Sequence, residues 1–106
     1  MKDRNKNLNN LRKGNKQKLR HLSSLLFKKV LVTTRFIEEE FLTCIGYLGN
    51  LVGLDRKSRF LVLEDVEIYL LRNFKIDKKI GKTKRIAINY GVISTVELVG
   101  ENEGQD

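Results

Sequence analysis

The stretch from Leu42 to Leu71 constrains the fold more than any other part of the chain, because it is the longest apolar-rich tract. Three glycines interrupt its first half, Gly46, Gly49 and Gly53. A glycine inside a strand marks a bend, a bulge or a close approach of two backbones, so this half predicts a strongly curved strand. Polar residues 55–58 predict a turn, and the β-branched and aromatic residues from Arg59 onward predict a second strand. The tract therefore predicts a bent β-hairpin.

The second strand of this hairpin contains a polar interruption at Glu64-Asp65. After it, Val66 and Ile68 begin a new alternation with Glu67. An extra residue in one strand moves all following side chains to the opposite face of the sheet. The pattern predicts a β-bulge at Glu64-Asp65.

Three other segments complete the predicted sheet. Residues 30–36, VLVTTRF, are rich in β-branched side chains and predict a strand before the hairpin. Residues 84–90 and 92–99 predict two short strands hinged at Gly91. Between them and the hairpin, residues 72–82 are basic, and we expect them to form a projecting loop.

A helix is predicted before the first strand. Four leucines fall on one side of a helical projection that begins near Lys16, namely Leu19, Leu22, Leu25 and Leu26. Asn15 is a suitable N-cap, and the segment is long enough for about three turns. A helix followed by five strands, without βαβ alternation, predicts a mainly β fold in which an N-terminal α-helix precedes a five-stranded, strongly bent antiparallel barrel.

The positive charge of the chain is concentrated at its N-terminus. Residues 1–29 contain ten Lys or Arg and one Asp, whereas residues 30–106 contain eleven basic and twelve acidic residues. We therefore expect a flexible basic arm over 1–14, one folded domain over 15–100 and a flexible tail over 101–106. The arm is interpreted either as a solvated tail or as a segment that binds nucleic acid or an acidic protein surface.

The sequence offers no combination of residues typical of a catalytic centre. His21 and Cys44 are the single histidine and cysteine, which excludes an ordinary Cys/His zinc cluster, and no phosphate-binding glycine loop is present. We expect no catalytic residue, no metal and no cofactor, so the chain is not predicted to be an enzyme. One cysteine, no signal peptide and no apolar run of membrane-spanning length predict an intracellular, cytoplasmic protein.

Two segments resemble the motifs of the Sm and Sm-like (Lsm) family. Residues 49–70, GNLVGLDRKSRFLVLEDVEIYL, resemble the first motif, and residues 85–98, RIAINYGVISTVEL, resemble the second. The resemblance extends from about Lys16 to Gly100, so it makes residues 15–100 an Sm-like domain. It implies an N-terminal helix on a bent five-stranded barrel, and subunits that associate edge to edge, often in rings that bind uridine-rich RNA.

The sequence departs from the family pattern where family members contact RNA. Arg59 stands where the first motif usually has an Asn, and Tyr90-Gly91 replaces the usual Arg-Gly pair of the second. Arg and Tyr can still stack on a base or form hydrogen bonds with it. The resemblance therefore leaves an RNA-binding site open, and its residues would be Asp55, Arg59, Tyr90 and Gly91.

The altered motifs shift the expected function toward protein binding. Residues 16–32 and 86–98 are similar to the Sm-like auxiliary subunits of N-terminal acetyltransferase C (NatC) complexes. The similarity implies a non-catalytic subunit that binds a large scaffold subunit and a catalytic acetyltransferase subunit. The expected partner-binding residues are Leu19, Leu22, Leu25, Leu26, Val92, Val96 and Leu98. The alternative is a ring subunit that binds other Sm-like chains and uridine-rich RNA in splicing or mRNA decay, with a nuclear location.

Overall fold

The computed structural model describes residues 8–9, 11–16, 19–35 and 42–100. They form six strands and two short 3-10 segments. The strands are β1 (Arg12–Lys16), β2 (Lys29–Thr34), β3 (Thr43–Asp55), β4 (Phe60–Arg72), β5 (Lys75–Asn89) and β6 (Ile93–Val99). The 3-10 segments are Leu19–Leu25 and Tyr90–Val92. The prediction of a mainly β fold with a long central hairpin is therefore confirmed.

The six strands form one antiparallel sheet in the order β1-β6-β2-β3-β4-β5. The prediction of a closed barrel is wrong, because β5 and β6 are not paired with each other and the sheet keeps two edges. The prediction of five strands also missed β1, which extends the sheet beyond β6. Closure of the sheet would require a hydrogen-bonded ladder between its two edge strands, β1 and β5.

The predicted N-terminal α-helix is also wrong. Residues 12–16, which include its expected start, belong to β1, and Leu19–Leu25 forms a 3-10 helix. Side chains three residues apart lie on the same side of a 3-10 helix, so Leu22 and Leu25 both reach the core. The segment ends at Leu25, and two residues later Phe27 has a left-handed φ of 68°, which cannot continue a helix. Ser23 and Ser24 have only modest helix propensity, which further disfavours three α-helical turns.

The glycine and bulge predictions are confirmed. A Cβ at Gly46 would lie 2.6 Å from Leu71 Cδ1, and a Cβ at Gly49 would lie 2.9 Å from the carbonyl oxygen of Glu64. Both positions require glycine because neighbouring strands approach too closely for a side chain. The register of β3 and β4 shifts by one residue between the pairs Leu48↔Glu67 and Asn50↔Glu64, and Asp65 has a φ of 54°.

The basic segment predicted as a projecting loop is instead part of a strand. Only Asn73 and Phe74 form the turn, and β5 begins at Lys75. Both turn residues have positive φ, 52° and 68°, as a two-residue hairpin turn requires. The lysines of residues 75–82 have low strand propensity, but pairing with the apolar strand β4 outweighs it.

The sheet has apolar clusters on both faces. The first core contains Leu22, Leu25, Val30, Val32, Leu51, Leu61, Leu63, Val66, Ile88, Ile93 and Val96. The second core contains Leu31, Cys44, Leu48, Tyr69, Leu71, Ile76 and Val99, with Leu8 and Leu11 packed against it. The bulge in β4 explains the division, since Leu63 and Val66 face the first core whereas Tyr69 and Leu71 face the second.

Candidate functional site

The turn between β3 and β4 is organised by Asp55. Its Oδ1 accepts hydrogen bonds from the backbone N–H groups of Lys57 (3.0 Å) and Ser58 (3.1 Å). The bond from Ser58 is the main cause that holds the pKa of Asp55 below its usual value, because it favours the charged carboxylate. The N–H of Arg59 donates to the Asp55 carbonyl at 2.8 Å, and Arg59 itself has a left-handed φ of 64°. Asp55 is therefore a turn-forming residue.

The connection between β5 and β6 is a single 3-10 turn, Tyr90–Val92. Asn89 caps it, since its Oδ1 accepts a hydrogen bond from the N–H of Gly91 at 2.7 Å. A Cβ at Gly91 would lie 2.8 Å from that oxygen, so a larger residue would disturb the cap. Tyr90 is half-buried and packs against the first core.

The two turns meet at one end of the sheet. The N–H of Tyr90 donates a hydrogen bond of 2.8 Å to the carbonyl of Arg59, and Phe60 pairs with Asn89 in the adjoining ladder. The structure therefore brings together all four residues that the sequence suggested for RNA binding: Asp55, Arg59, Tyr90 and Gly91. Arg56, Lys57 and Arg59 are exposed in the first turn, and Tyr90 in the second is half-buried. We call this group, formed by Asp55, Arg59, Tyr90 and Gly91 with the neighbouring Arg56 and Lys57, the two-turn site. Its cations can attract a phosphate, and Tyr90 can offer an aromatic ring.

Most residues predicted to bind a protein partner lie in the interior of this chain. Leu22, Leu25 and Val96 are buried in the first core, and Leu26 and Leu98 pack partly buried against it. Val92 is 49% exposed. Leu19 lies in the 3-10 segment, but its side chain is outside the described residues. The predicted apolar surface of the helix is therefore mostly core, and the partner-binding role of these residues stays a prediction.

Strand β6, which contains the expected partner-binding residues Val96 and Leu98, has a neighbouring strand on each side over its last residues. Strand β6 pairs with β2 on one side and with β1 on the other, with Arg12 opposite Val99 and Lys16 opposite Glu97. The N–H of Gly100 also donates to the carbonyl of Leu11 at 2.8 Å. The described part of the expected flexible arm thus lies against the sheet.

The long edge strand β5 is open along most of its outer side; the exception among the described residues is Ile76, whose N–H and C=O are both hydrogen-bonded to the Asn9 side chain. It pairs only with β4 over fifteen residues, so alternate backbone N–H and C=O groups point away from the sheet. The strand contains six basic residues and one acidic residue, Asp77. Two of the six form ion pairs across to β4: Lys79 with Glu67 at 3.1 Å and Arg85 with Glu64 at 2.8 Å. Within residues 42–100, the remaining four form none, namely Lys75, Lys78, Lys82 and Lys84.

Two surface grooves adjoin this open edge. One, of about 510 Å³, lies at the bulge and is lined by Asp65, Val66, Glu67, Lys82, Thr83 and Lys84. The other, of about 460 Å³, is lined by Val52, Gly53, Val62, Arg85, Ile86 and Ala87. The second groove is largely aliphatic, so it can accept an apolar side chain of a segment that lies along β5.

The described residues contain no group of three or more His, Cys, Asp or Glu side chains placed to hold a metal ion. Cys44, the single cysteine, is fully buried as predicted. In the same part of the chain, no helix has the length and hydrophobicity needed to cross a membrane.

The comparisons with known proteins give no family for this chain: no protein-family model matches it, and no curated protein matches it. The open edge of β5 is the feature that sequence reasoning missed, because its lysine-rich first half resembles a loop. The signal that would have found it is the pair Asn73-Phe74, since a turn of two residues forces residues 75–82 to pair back onto the apolar residues of β4.

Proposed function

We propose that this protein is a non-catalytic, protein-binding subunit of a larger complex, and that it binds a partner subunit along the open edge of β5. The observation that carries the proposal is a difference in strand pairing between the two ends of the sheet. Strand β1 pairs with β6 at Glu97 and Val99, whereas among the described residues the fifteen-residue strand β5 pairs with no strand but β4. The long edge of β5 suits attachment of a partner, because an extended segment can add to it as a further strand.

The chemistry of the edge defines the segment that fits it. Such a segment is extended, carries acidic side chains opposite Lys78, Lys82 and Lys84, and places an apolar side chain in the groove beside Val52 and Val62. Main-chain hydrogen bonds supply affinity, while the charges and the groove supply selectivity.

The resemblance of residues 16–32 and 86–98 to NatC auxiliary subunits suggests which complex this is. Under this proposal a large scaffold subunit occupies the β5 edge, and a separate catalytic subunit transfers the acetyl group. This chain positions those partners and performs no chemistry. The strand β1 beside the end of β6 favours this role over a ring, because each subunit of a head-to-tail ring uses both of its edges.

The experiment that tests the proposal is isolation of the full chain from its own cells with nuclease treatment, followed by mass spectrometry. We expect one large scaffold protein and one acetyltransferase subunit, with unchanged composition after nuclease treatment. The reversed-charge variant Lys78→Glu, Lys82→Glu and Lys84→Glu should lose the scaffold. Its matched control, Lys28→Glu, Arg56→Glu and Lys57→Glu, should retain it. Recovery of a set of Sm-like chains with a small RNA would overturn the proposal.

A second candidate function is binding of uridine-rich RNA at the two-turn site. It is favoured by the hydrogen bond between Tyr90 and Arg59, which joins the two turns, and by the exposed cations around them. A titration of oligo-U against oligo-C at two salt concentrations tests it. We expect weak binding without base preference that falls steeply with salt, since the contacts are mainly to phosphates. Tight, U-selective binding that Tyr90→Ala abolishes would establish the RNA function instead.

A further inference from the structure

The second core is covered by a short segment from near the N-terminus, which we call the strap and define as Leu8, Asn9 and Leu11. The seven buried members of this core lie on strands β2 to β6. Among the described residues, the two leucines of the strap are the partly buried apolar side chains that pack against it. The core therefore has an apolar surface on which an extended segment is already seated.

Asn9 bonds this segment to the backbone of β5. Its Oδ1 accepts a hydrogen bond from the N–H of Ile76 at 2.9 Å, and its Nδ2 donates to the carbonyl of Ile76 at 3.3 Å. One side-chain amide thus satisfies both backbone groups of a single residue. The site beneath the strap has two parts: an apolar surface that takes two leucine side chains, and a backbone N–H and C=O that take an amide.

The strap is held by contacts that another segment could replace. Both of its leucines remain half-buried, whereas the seven members of the core are at most 6% exposed. After the strap, β1 pairs with β6 at Arg12↔Val99 and Lys16↔Glu97. Four steps along β1 correspond to two along β6, so this pairing is irregular. A segment that makes the same contacts can therefore compete with the strap for the site.

The charge of the N-terminal segment does not match the charge of this site. Residues 1–16 contain six Lys or Arg and one Asp. The site lies at the start of β5, which has six basic residues and one acidic residue, and Lys75 and Lys78 are exposed there. Arg12 follows Asn9 by three residues, so their backbones lie within about 11 Å, close to the screening length of about 10 Å at 0.1 M salt. Like charges repel at this range, so an acidic segment of the same shape would bind more tightly.

We propose that the second core, at the start of β5, is a docking site for an acidic, leucine-bearing segment of another protein, and that the strap occupies it as a weak internal substitute. The incoming segment is extended, places two leucine side chains where Leu8 and Leu11 lie, and bonds to Ile76. Its carboxylates lie near Lys75 and Lys78. Two seats for aliphatic side chains favour a protein segment over a nucleic acid, which carries none. This inference goes beyond the proposed function, which concerns β5 after Ile76, and it is tested without the scaffold subunit.

The test uses the full-length chain and a synthetic peptide with the sequence of residues 4–16 in which every Lys and Arg is replaced by glutamate. Fluorescence anisotropy should show binding to the wild type. Binding should be on the order of tenfold tighter to the variant Leu8→Asp with Leu11→Asp, because its strap no longer competes. The matched control is Phe27→Asp with Val92→Asp, which adds the same charge at exposed apolar residues and should bind as the wild type does. The bound peptide should slow hydrogen exchange at the Ile76 amide of the strap variant.

Three further measurements separate docking from a general attraction between charges. The acidic peptide with both leucines replaced by aspartate should not bind. Lys75→Glu with Lys78→Glu should weaken binding of the acidic peptide about fivefold, whereas the control Lys28→Glu with Lys57→Glu should not. The peptide with the natural sequence should bind more weakly than the acidic one. Added salt should strengthen binding of the natural peptide and weaken binding of the acidic peptide.

The absence of binding, or equal affinity for the wild type and the strap variant, would overturn the proposal. Binding that persists without the leucines would also overturn it. Displacement of the peptide by an equal concentration of oligo-U at physiological salt would assign the site to nucleic acid instead. If the double variant loses its cooperative unfolding transition, Asn9→Ala replaces it, because it removes both bonds to Ile76 and no apolar contact. Unchanged peptide affinity in Asn9→Ala would then contradict the proposal.

Discussion

The two edges of this sheet are protected by different means. At one end, the last residues of β6 pair with β1, and Leu8 and Leu11 pack against the second core. At the other end, no described strand lies on the outer side of β5; Asn9 bonds to Ile76 there, and exposed lysines protect the rest. Lysines on an edge strand disfavour pairing with an identical edge but still allow pairing with an acidic segment. One edge of the sheet is therefore the short strand β1, whereas the other is the long strand β5, whose positive charge makes it selective.

Both edges depend on the first core, so the largest effect should come from a variant that removes this shared support. Leu22 is 1% exposed in the 3-10 segment beneath the sheet. Leu22→Asp should lower the free energy of unfolding by about 3 kcal/mol or more, since it loses buried apolar area and buries a charge. Chemical denaturation measures this, with the exposed neighbour substitution Ser23→Asp as the control. An unchanged unfolding midpoint would mean that the segment is not docked.

The close approach of β3 and β4 at Gly49 should have the next largest effect, because these two strands form the centre of the sheet between the two edges. A Cβ at Gly49 would meet the backbone oxygen of Glu64 at 2.9 Å, whereas a Cβ at Gly53 would meet only Val62 atoms at 3.6 Å or more. Gly49→Ala should cost about 1–3 kcal/mol of unfolding free energy, as overpacking does. Gly53→Ala should cost clearly less. Equal losses for the two variants would contradict the close approach of β3 and β4.

Removal of the lysines should alter the β5 edge and leave the fold intact. In Lys78→Thr, Lys82→Thr and Lys84→Thr we expect a change in unfolding free energy within about 0.5 kcal/mol, since these side chains are exposed. Light scattering should nevertheless show self-association, because an uncharged edge strand pairs with its copies. The control Lys28→Thr, Arg56→Thr and Lys57→Thr removes the same charge elsewhere and should stay monodisperse. Association of both variants would assign the effect to net charge.

The smallest expected effect is at Asp55, which lies at the end of β3 in the turn that joins β3 to β4. Its pKa is lowered mainly by the hydrogen bond from Ser58, below the ordinary value of 3.8. A lowered pKa in the folded state adds stability that is present above the ordinary pKa and is lost as pH falls through the lowered one. Asp55→Asn should therefore show less acid destabilisation below about pH 4 than the wild type. An equal loss of stability at acid pH in the variant and the wild type would contradict the role of the Asp55 carboxylate in the turn.

The sequence predicts the centre of this molecule better than its edges. Gly49 and the bulge at Glu64-Asp65 follow from local rules, because a strand interior tolerates glycine or an extra residue only where the backbone requires it. The two turns that contain Asp55, Arg59, Tyr90 and Gly91 do lie together, as the resemblance to known motifs implies, and their role in RNA binding stays a prediction. These predictions needed only residues close in sequence or a known pairing.

The edges could not be predicted in the same way. Residues 12–16 have little strand propensity, and their pairing with β6 depends on a contact between residues more than eighty positions apart. The same holds for Asn9, whose partner Ile76 lies 67 positions away. The leucines of 19–25 fit an α-helical and a 3-10 pattern almost equally well, so their spacing alone could not select between them.

Hydrogen exchange of the two edge strands in the full-length wild-type chain tests the central claim most directly. The claim is that the end of β6 is paired with β1 and that β5 is open beyond Ile76. We predict that amides of Glu97–Val99 exchange as slowly as those of the central strand β3, whereas alternate amides of β5 after Ile76 exchange rapidly and become protected when the partner subunit binds. Rapid exchange throughout β6, or slow exchange throughout β5 in the isolated monomer, would contradict the account.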